Sequence, residues 1–161
     1  LPISQSAVLI GRTMSDMVRN IVTFMVMLGV AFAIGFRFEG GVLRGLLASA
    51  LLLAFSYSFS WIQALIGLSV KSVEAANSAG FIWMFPMTFI SSAFVPTKGM
   101  TPWLRHIAEN NPFTIVTNAA RYLYSGLPIG NEVWLSLGYA GGIIVVFAFL
   151  ATRKFKQSAS R

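Results

Sequence analysis

The feature that most constrains this chain is a series of four long runs that contain no charged residue. Their bounds are 21–36, 45–70, 75–97 and 133–152. A helix needs about 20 predominantly apolar residues to cross the hydrocarbon of a bilayer. The last three runs are long enough, and the first is long enough if its helix begins before Arg19, whose side chain can reach the headgroups. The runs predict an all-α integral membrane protein with four transmembrane helices, at about 17–37, 44–70, 75–96 and 132–152.

Composition supports the same class. The chain is 56% hydrophobic and only 11% charged, which is not the composition of a water-soluble globular domain. Its net charge of +7 comes from basic residues that lie between the apolar runs and at the C-terminus, where membrane orientation and anionic headgroups favour them. We therefore expect membrane lipids and no nucleic acid as partners. The absence of cysteine excludes disulfides and thiolate metal sites.

The distribution of basic residues predicts the orientation. Four spans place both termini on the same side of the membrane, with seven basic residues on that side and five on the other. The bias is small, and the dense C-terminal cluster decides it, because Lys and Arg concentrate in cytoplasmic segments. We expect a cytoplasmic C-terminus; the cluster consists of Arg153, Lys154, Lys156 and Arg161.

Two short amphipathic helices are predicted after the third run. Thr101 and Asn111 each precede a proline, so each can cap a helix that begins with that proline. The helices run over about 102–109 and 112–124, and Gly126 ends the second. Neither can cross a bilayer alone. We predict an external re-entrant helical hairpin that dips partway into the membrane.

The second span carries a polar stripe without charge. Ser49, Ser56, Ser60 and Gln63 recur at helical spacing and share one face. Such a face can pack helices through small residues, or it can form one wall of a transport route. As a route it suits a hydrophobic or amphipathic molecule, since ions need charged or carbonyl rings.

Motifs for catalysis and cofactors are weak. His106 and Glu109 share a helical face, but the chain has no second histidine, so we expect no metal site. It contains no Gly-x-Ser-x-Gly elbow and no phosphate-binding loop, so we expect no catalytic residues and no bound cofactor. Two other classes stay open: an enzyme at the outer interface that uses His106, Glu109 and Arg121, and a channel or secondary carrier.

Three segments carry a resemblance to a known family. They are LPISQSAVLIGRTMSD, SVKSVEAANSAGFIWMFPMTFISSAFVP and PWLRHIAENNPFTIVTNAARYL. The chain resembles the permease subunit of type-2 ATP-binding-cassette exporters, most closely the bacterial daunorubicin-resistance type of drug and lipid exporters. The spacing of Asn111, Pro112 and Arg121 is the most specific part. Ser91 and Ser92 stand where the family commonly has Ser-Gly, so we expect a milder kink there.

The resemblance implies an ATP-driven exporter in the bacterial plasma membrane. Such subunits usually have six spans, so residues 1–161 are expected to be a partial transmembrane domain with the third to sixth spans. The molecule moved outward would be a hydrophobic or amphipathic drug or lipid; a polysaccharide or other glycoconjugate is the alternative. A separate ATPase subunit would use ATP and Mg²⁺, and a second permease subunit, a copy or a homologue, would complete the complex.

The resemblance also suggests two groups of site residues. The external gate and re-entrant helices would include Pro96, Trp103, Asn111, Pro112 and Arg121. The cytoplasmic coupling region would include Pro2, Ser4, Arg12, Lys71 and Glu74, of which Lys71 and Glu74 are one helical turn apart and able to pair.

Overall fold

The fold is all-helical wherever the structure describes it. The computed structural model describes the backbone of residues 5–159 and the side chains of residues 10–155. Within these limits there is no strand, and a 3₁₀ turn, Thr97–Gly99, precedes the fourth helix. The helices are α1 (Gln5–Ala33), α2 (Val42–Gly67), α3 (Val73–Phe89), α4 (Pro102–Glu109), α5 (Pro112–Tyr124) and α6 (Asn131–Ala159).

Three of the described helices are long and apolar enough to cross a membrane. The candidate spans are Ile10–Ala33, Val42–Gly67 and Asn131–Phe155, which cover the first, second and fourth predicted spans. The most apolar stretch of the first span has no buried residue, so its side chains lie on the surface of the chain. Long apolar helices with exposed side chains are what a multi-pass membrane protein presents to lipid.

The third predicted span, at 75–96, does not form as one helix. α3 has 17 residues and ends at Phe89, so it is about 25 Å long at 1.5 Å per residue, against about 30 Å of hydrocarbon. Residues 90–95 form turns and bends. The milder kink expected at Ser91 and Ser92 is also wrong, because the helix stops before them. The four-span count is therefore not shown by helix length alone.

The two short helices have the predicted bounds, but only one of them has a side-chain cap at its first turn. The Asn111 side chain accepts a hydrogen bond from the backbone N–H of Phe113 and so caps α5. Thr101 occupies the same position before α4, yet its hydroxyl makes no capping hydrogen bond. The predicted Thr101 cap is wrong, and Pro102, whose ring presets a helical φ, begins α4 without it.

α5 ends in a glycine motif that the sequence predicts. Gly126 has a φ of +71°, in the left-handed region that glycine adopts without strain. The N–H of Gly126 donates to the carbonyl of Leu123, and the N–H of Leu127 donates to the carbonyl of Tyr122. These two bonds satisfy carbonyls that the end of a helix otherwise leaves open.

The described residues form two compact units. The first contains residues 5–37, 53–77 and 140–159. The second contains residues 38–52 and 78–139, and therefore includes α4 and α5. α2, α3 and α6 each contribute one part to each unit.

Candidate functional site

The end of α3, in the second unit, is a break whose backbone groups are satisfied by side chains. The carbonyl of Met87 accepts a hydrogen bond from Asn111 Nδ2 at 2.6 Å. The backbone N–H of Ser92 donates to Thr114 Oγ1 at 3.0 Å. Ser91 Oγ donates to the carbonyl of Thr88 at 2.6 Å, which supplies a further bond within the turn. The chain can therefore leave the helix here without losing these hydrogen bonds.

These groups belong to one buried cluster, which we call the α3–α5 cluster: Ser91, Ser92, Asn111, Thr114 and Asn118. Ser92 Oγ donates to Asn118 Oδ1 at 2.9 Å, one helical turn along α5 from Thr114. Ser91, Ser92, Asn111 and Thr114 are each less than 10% exposed. Buried polar groups are costly unless they are paired. Ser92 bonds to Thr114 and Asn118, whereas Ser91 and Asn111 donate to backbone carbonyls of α3.

The start of α2 is tied to the end of α5 within the same unit. Arg44 Nη1 donates to the carbonyl of Gly126 at 2.6 Å and to that of Leu127 at 3.0 Å. The rings of Phe38 and Tyr124 stack with centroids 5.4 Å apart. A methyl group on Gly40 would lie 2.5 Å from the carbonyl oxygen of Leu123, so this close approach requires glycine. We call this contact the Arg44 clamp.

The structure brings together only part of the predicted external gate. Asn111 is in the α3–α5 cluster, and Pro112 is the first residue of α5 beside it. Pro96, Trp103 and Arg121 are exposed, and Trp103 is 67% exposed. The gating role of these five residues stays a prediction.

A cavity of about 150 Å³ lies in the first unit. It joins Gln63, from the predicted route, with Arg12, from the predicted coupling region. Asp16 shares the cavity and accepts a hydrogen bond from Arg19 Nη2 at 2.7 Å. Gln63 Nε2 donates to the carbonyl of Ala76 at 3.4 Å, a long bond that leaves its other amide groups available. The remaining lining residues are Ala64, Gly67, Leu68 and Phe155.

The predicted route residues differ in exposure along α2. Ser49 is buried, donates to the carbonyl of Gly45 and lies 3.2 Å from the hydroxyl of Tyr124. Ser60 is buried as well, Ser56 is half-buried and Gln63 is exposed. Ser49 lies in the second unit and the other three in the first. Ser49 is therefore engaged in packing, and the face that remains accessible is near Gln63.

The predicted coupling residues are only partly described. Pro2 and Ser4 lie outside the described residues. Lys71 and Glu74 are exposed, and the ion pair that their spacing allows is not among those of the described side chains. Glu74 lies instead in the first turn of α3, where the helix dipole favours a carboxylate, and Ser72 Oγ accepts from the N–H of Ala75.

The polar face of α4 forms a solvated ion pair. Arg105 Nε donates to Glu109 Oε1 at 2.7 Å, and both side chains are about half exposed, so the pair contributes little to stability. His106 is exposed beside it. Among the described residues, no three histidine, aspartate or glutamate side chains are grouped so as to hold a metal ion.

Sequence reasoning missed several residues that the structure uses. Thr114 and Asn118 are polar residues four apart on one face of α5, and this spacing was an available signal. In the sequence, Arg44 is one of the basic residues between apolar runs, and Lys154 is one of the C-terminal cluster. Their partners, Gly126 and Ser69, are more than 80 residues away, so no local pattern indicates them.

Comparison with known families places the chain among membrane transporters. Residues 1–124, which include the α3–α5 cluster, match the family described as ABC-2 type transporter. The match covers well over half of the chain. The chain belongs to the ABC-2 type transporter family and is a multi-pass membrane protein.

Two curated relatives are similar over nearly all of the chain. The daunorubicin resistance ABC transporter permease protein DrrB1 of Streptomyces coeruleorubidus is 31% identical over 157 residues, 98% of this chain and 56% of that protein. The probable doxorubicin resistance ABC transporter permease protein DrrC of Mycobacterium tuberculosis is 24% identical over 148 residues, 92% of this chain and 53% of that protein. The chain thus spans about half the length of the curated relatives it matches. No solved structure matches it significantly.

Proposed function

We propose that this chain is part of the membrane subunit of an ATP-driven exporter in the bacterial plasma membrane. The observation that carries the proposal is the family match over residues 1–124, together with the three apolar spans among the described residues. The names of both relatives describe permeases of drug resistance, which supports export rather than uptake. The chain contains no phosphate-binding loop, so a separate ATPase subunit would supply the energy from ATP and Mg²⁺.

In the proposed topology, α3 and the turns after it form a further crossing, and α4 and α5 form the external re-entrant hairpin. The third to sixth spans of a six-span permease would then be present, with the C-terminus in the cytoplasm. Non-helical backbone is tolerated at membrane depth only where protein groups satisfy it. The bonds from Asn111 to Met87 and from Ser92 to Thr114 supply such partners, which supports this placement.

The proposed cargo is a hydrophobic or amphipathic small molecule. Residues 45–70 carry no charge, and an ion pathway or a route for a long glycan would need a more polar lining. The cavity beside Gln63 measures about 150 Å³, whereas sites for drug-sized ligands measure about 300 to 1,000 Å³. A second permease subunit would therefore be needed to complete the route.

A reconstituted transport assay tests this function. The full-length permease and its ATPase should move a fluorescent amphiphile in an ATP-dependent way. Gln63→Leu should change the relative rates for polar and apolar amphiphiles several-fold, since it removes an accessible amide, while ATP turnover stays unchanged. Thr23→Leu is the matched control, because Thr23 is an exposed polar residue of α1 that does not line the cavity.

Three results would contradict the proposal. Vigorous ATP hydrolysis by the permease alone would show that no partner ATPase is needed. Transport of sugars or inorganic ions with no movement of amphiphiles would exclude the proposed cargo. An unchanged substrate ranking in Gln63→Leu would remove the cavity from the route.

No described contact favours the enzyme hypothesis, because Glu109 is already paired with Arg105.

A further inference from the structure

We infer that the ends of α2 and α6 form a binding site for one anionic phospholipid. The site is a groove of about 360 Å³ in the first unit, lined by Leu65, Leu150, Arg153 and Lys154. It is separate from the cavity beside Gln63, since the two share no lining residue. The inference depends on α6 spanning the membrane, and does not depend on which molecule is transported.

The groove is polar at one level and apolar one helical turn away. Lys154 Nζ donates to Ser69 Oγ at 2.7 Å, which brings the second residue after α2 to the end of the apolar run of α6. Leu65 precedes Ser69 by four residues, and Leu150 precedes Lys154 by four. One turn of helix rises about 5.4 Å, so the two leucines lie about that much deeper than the cationic groups.

The cationic groups of the groove have no carboxylate partner among the side chains that the structure describes. The ion pairs among the described side chains join Arg19 to Asp16 and Arg105 to Glu109, none of which lines the groove. Lys154 donates to a neutral hydroxyl, and an ammonium group has three donors. A phosphate bound between Arg153 and Lys154 would supply the missing negative charge with charge-assisted hydrogen bonds.

A phospholipid matches both parts of the groove. Arg153 and Lys154 directly follow the uncharged run 133–152, which places them where hydrocarbon meets the headgroups. Each basic residue at that level raises the affinity for an anionic lipid roughly five-fold. A free phosphate would engage only the cations, whereas the acyl chain of a lipid also covers Leu65 and Leu150, of which Leu150 is 40% exposed. The lipid is therefore the occupant that uses the whole surface.

Lipid titration of the purified full-length permease tests the site. Phosphatidylglycerol and phosphatidylcholine with the same acyl chains are added in detergent, and bound lipid is counted by native mass spectrometry. The double variant Arg153→Gln, Lys154→Gln should lower the affinity for phosphatidylglycerol about 10- to 30-fold and leave that for phosphatidylcholine unchanged. Arg153→Lys, which keeps the charge, should bind within about two-fold of the unaltered protein. Lys98→Gln with Arg37→Gln, two exposed basic residues elsewhere, is the matched control and should have no effect.

Other outcomes would overturn the site. Equal phosphatidylglycerol binding by the double variant and the unaltered protein would remove the groove as the binding place. Competition by glycerol 3-phosphate at the affinity of the intact lipid would show that only the phosphate is recognised. If the double variant bound lipid normally but no longer purified with its ATPase, the basic groups would serve a protein partner instead.

Discussion

At the scale of single residues, Asn111 serves two backbone groups at once. Its Oδ1 accepts from the N–H of Phe113, and its Nδ2 donates to the carbonyl of Met87, 24 residues earlier. The side chain is 4% exposed, so water cannot replace either bond without rearrangement. Asn111 therefore both begins α5 and holds it to the end of α3.

Replacing Asn111 by alanine should lower the free energy of unfolding by about 2 to 4 kcal/mol. About 1 kcal/mol is the usual cost of a lost helix cap, and a buried carbonyl left without its donor costs about 1 to 3 kcal/mol. Chemical unfolding of the purified permease in mild detergent measures the loss. Thr101→Ala is the matched control, since Thr101 precedes a proline in the same way but makes no capping bond; it should cost less than about 0.5 kcal/mol. Equal losses in the two variants would contradict this account.

Local sequence predicts one of the two bonds of Asn111. An asparagine before a proline indicates a helix start, and that start is confirmed. The bond to Met87 depends on how α5 lies against α3, which no short pattern reports. The same local signal at Thr101 predicts a cap that does not form.

At the scale of helices, α5 is fixed at its far end by a close backbone contact. Gly40 and Gly126 approach so closely that a methyl group on Gly126 would lie 2.8 Å from the Cα atom of Gly40. The Arg44 guanidinium binds the carbonyls of Gly126 and Leu127 over this contact. The Arg44 clamp, which joins the start of α2 to the end of α5, thus depends on glycine.

Gly126→Ala should destabilise the protein by at least about 1 to 2 kcal/mol. That is the cost of a left-handed conformation for a residue with a Cβ atom, and the contact with Gly40 adds to it. Gly138→Ala, inside α6 with open space around its Cβ position, should instead be neutral or stabilising by up to about 1 kcal/mol. Thermal unfolding of both variants provides the comparison. Similar shifts for the two would show that the junction is not rigid.

The early end of α3 could not be predicted from the sequence. The run 75–97 is apolar and uncharged throughout, and hydropathy alone indicates a continuous span. The helix ends where Thr114 and Asn111 offer alternative partners to its backbone, and those side chains belong to a later helix. The positions of α4 and α5 were predictable because their signals, two prolines and Gly126, act within a few residues.

At the scale of the whole molecule, the number of crossings decides which loops face which side. If α3 and its turns cross the membrane, residues 71 and 98 lie on opposite sides; if they do not, both lie on the same side. Both side chains are exposed and the chain contains no cysteine, so single cysteines can be introduced without background from this region.

Lys71→Cys should react with a membrane-impermeant maleimide only in inverted vesicles, and Lys98→Cys only in intact cells. This pattern follows from the proposed topology with the C-terminus in the cytoplasm. A cysteine at Gly99, next to Lys98 in the same 3₁₀ turn, should behave as Lys98→Cys does. Labelling of positions 71 and 98 from the same side would leave three spans and contradict the proposed crossing.

The sequence alone predicts the class of the protein, whereas it does not predict which residues contact a substrate. Four uncharged runs predict a helical membrane protein, and the Asn111, Pro112 and Arg121 spacing indicates the family to which the chain belongs. In the proposed exporter, the substrate would contact side chains from several helices and from a second subunit. Such a surface has no signature in a single chain.

If the chain works as the proposed exporter, the hydrogen bonds at the end of α3 limit how that exporter can release its cargo. With the hairpin placed in the bilayer as proposed, separating α3 from α5 would leave the Met87 carbonyl and the Ser92 amide facing hydrocarbon. Each such loss costs about 2 to 7 kcal/mol, so two cost at least about 4 kcal/mol and reduce an open state about 1,000-fold. The protein would therefore almost never open laterally between α3 and α5. In the proposed exporter, cargo that leaves on the outer side would therefore pass by a boundary other than the one between α3 and α5.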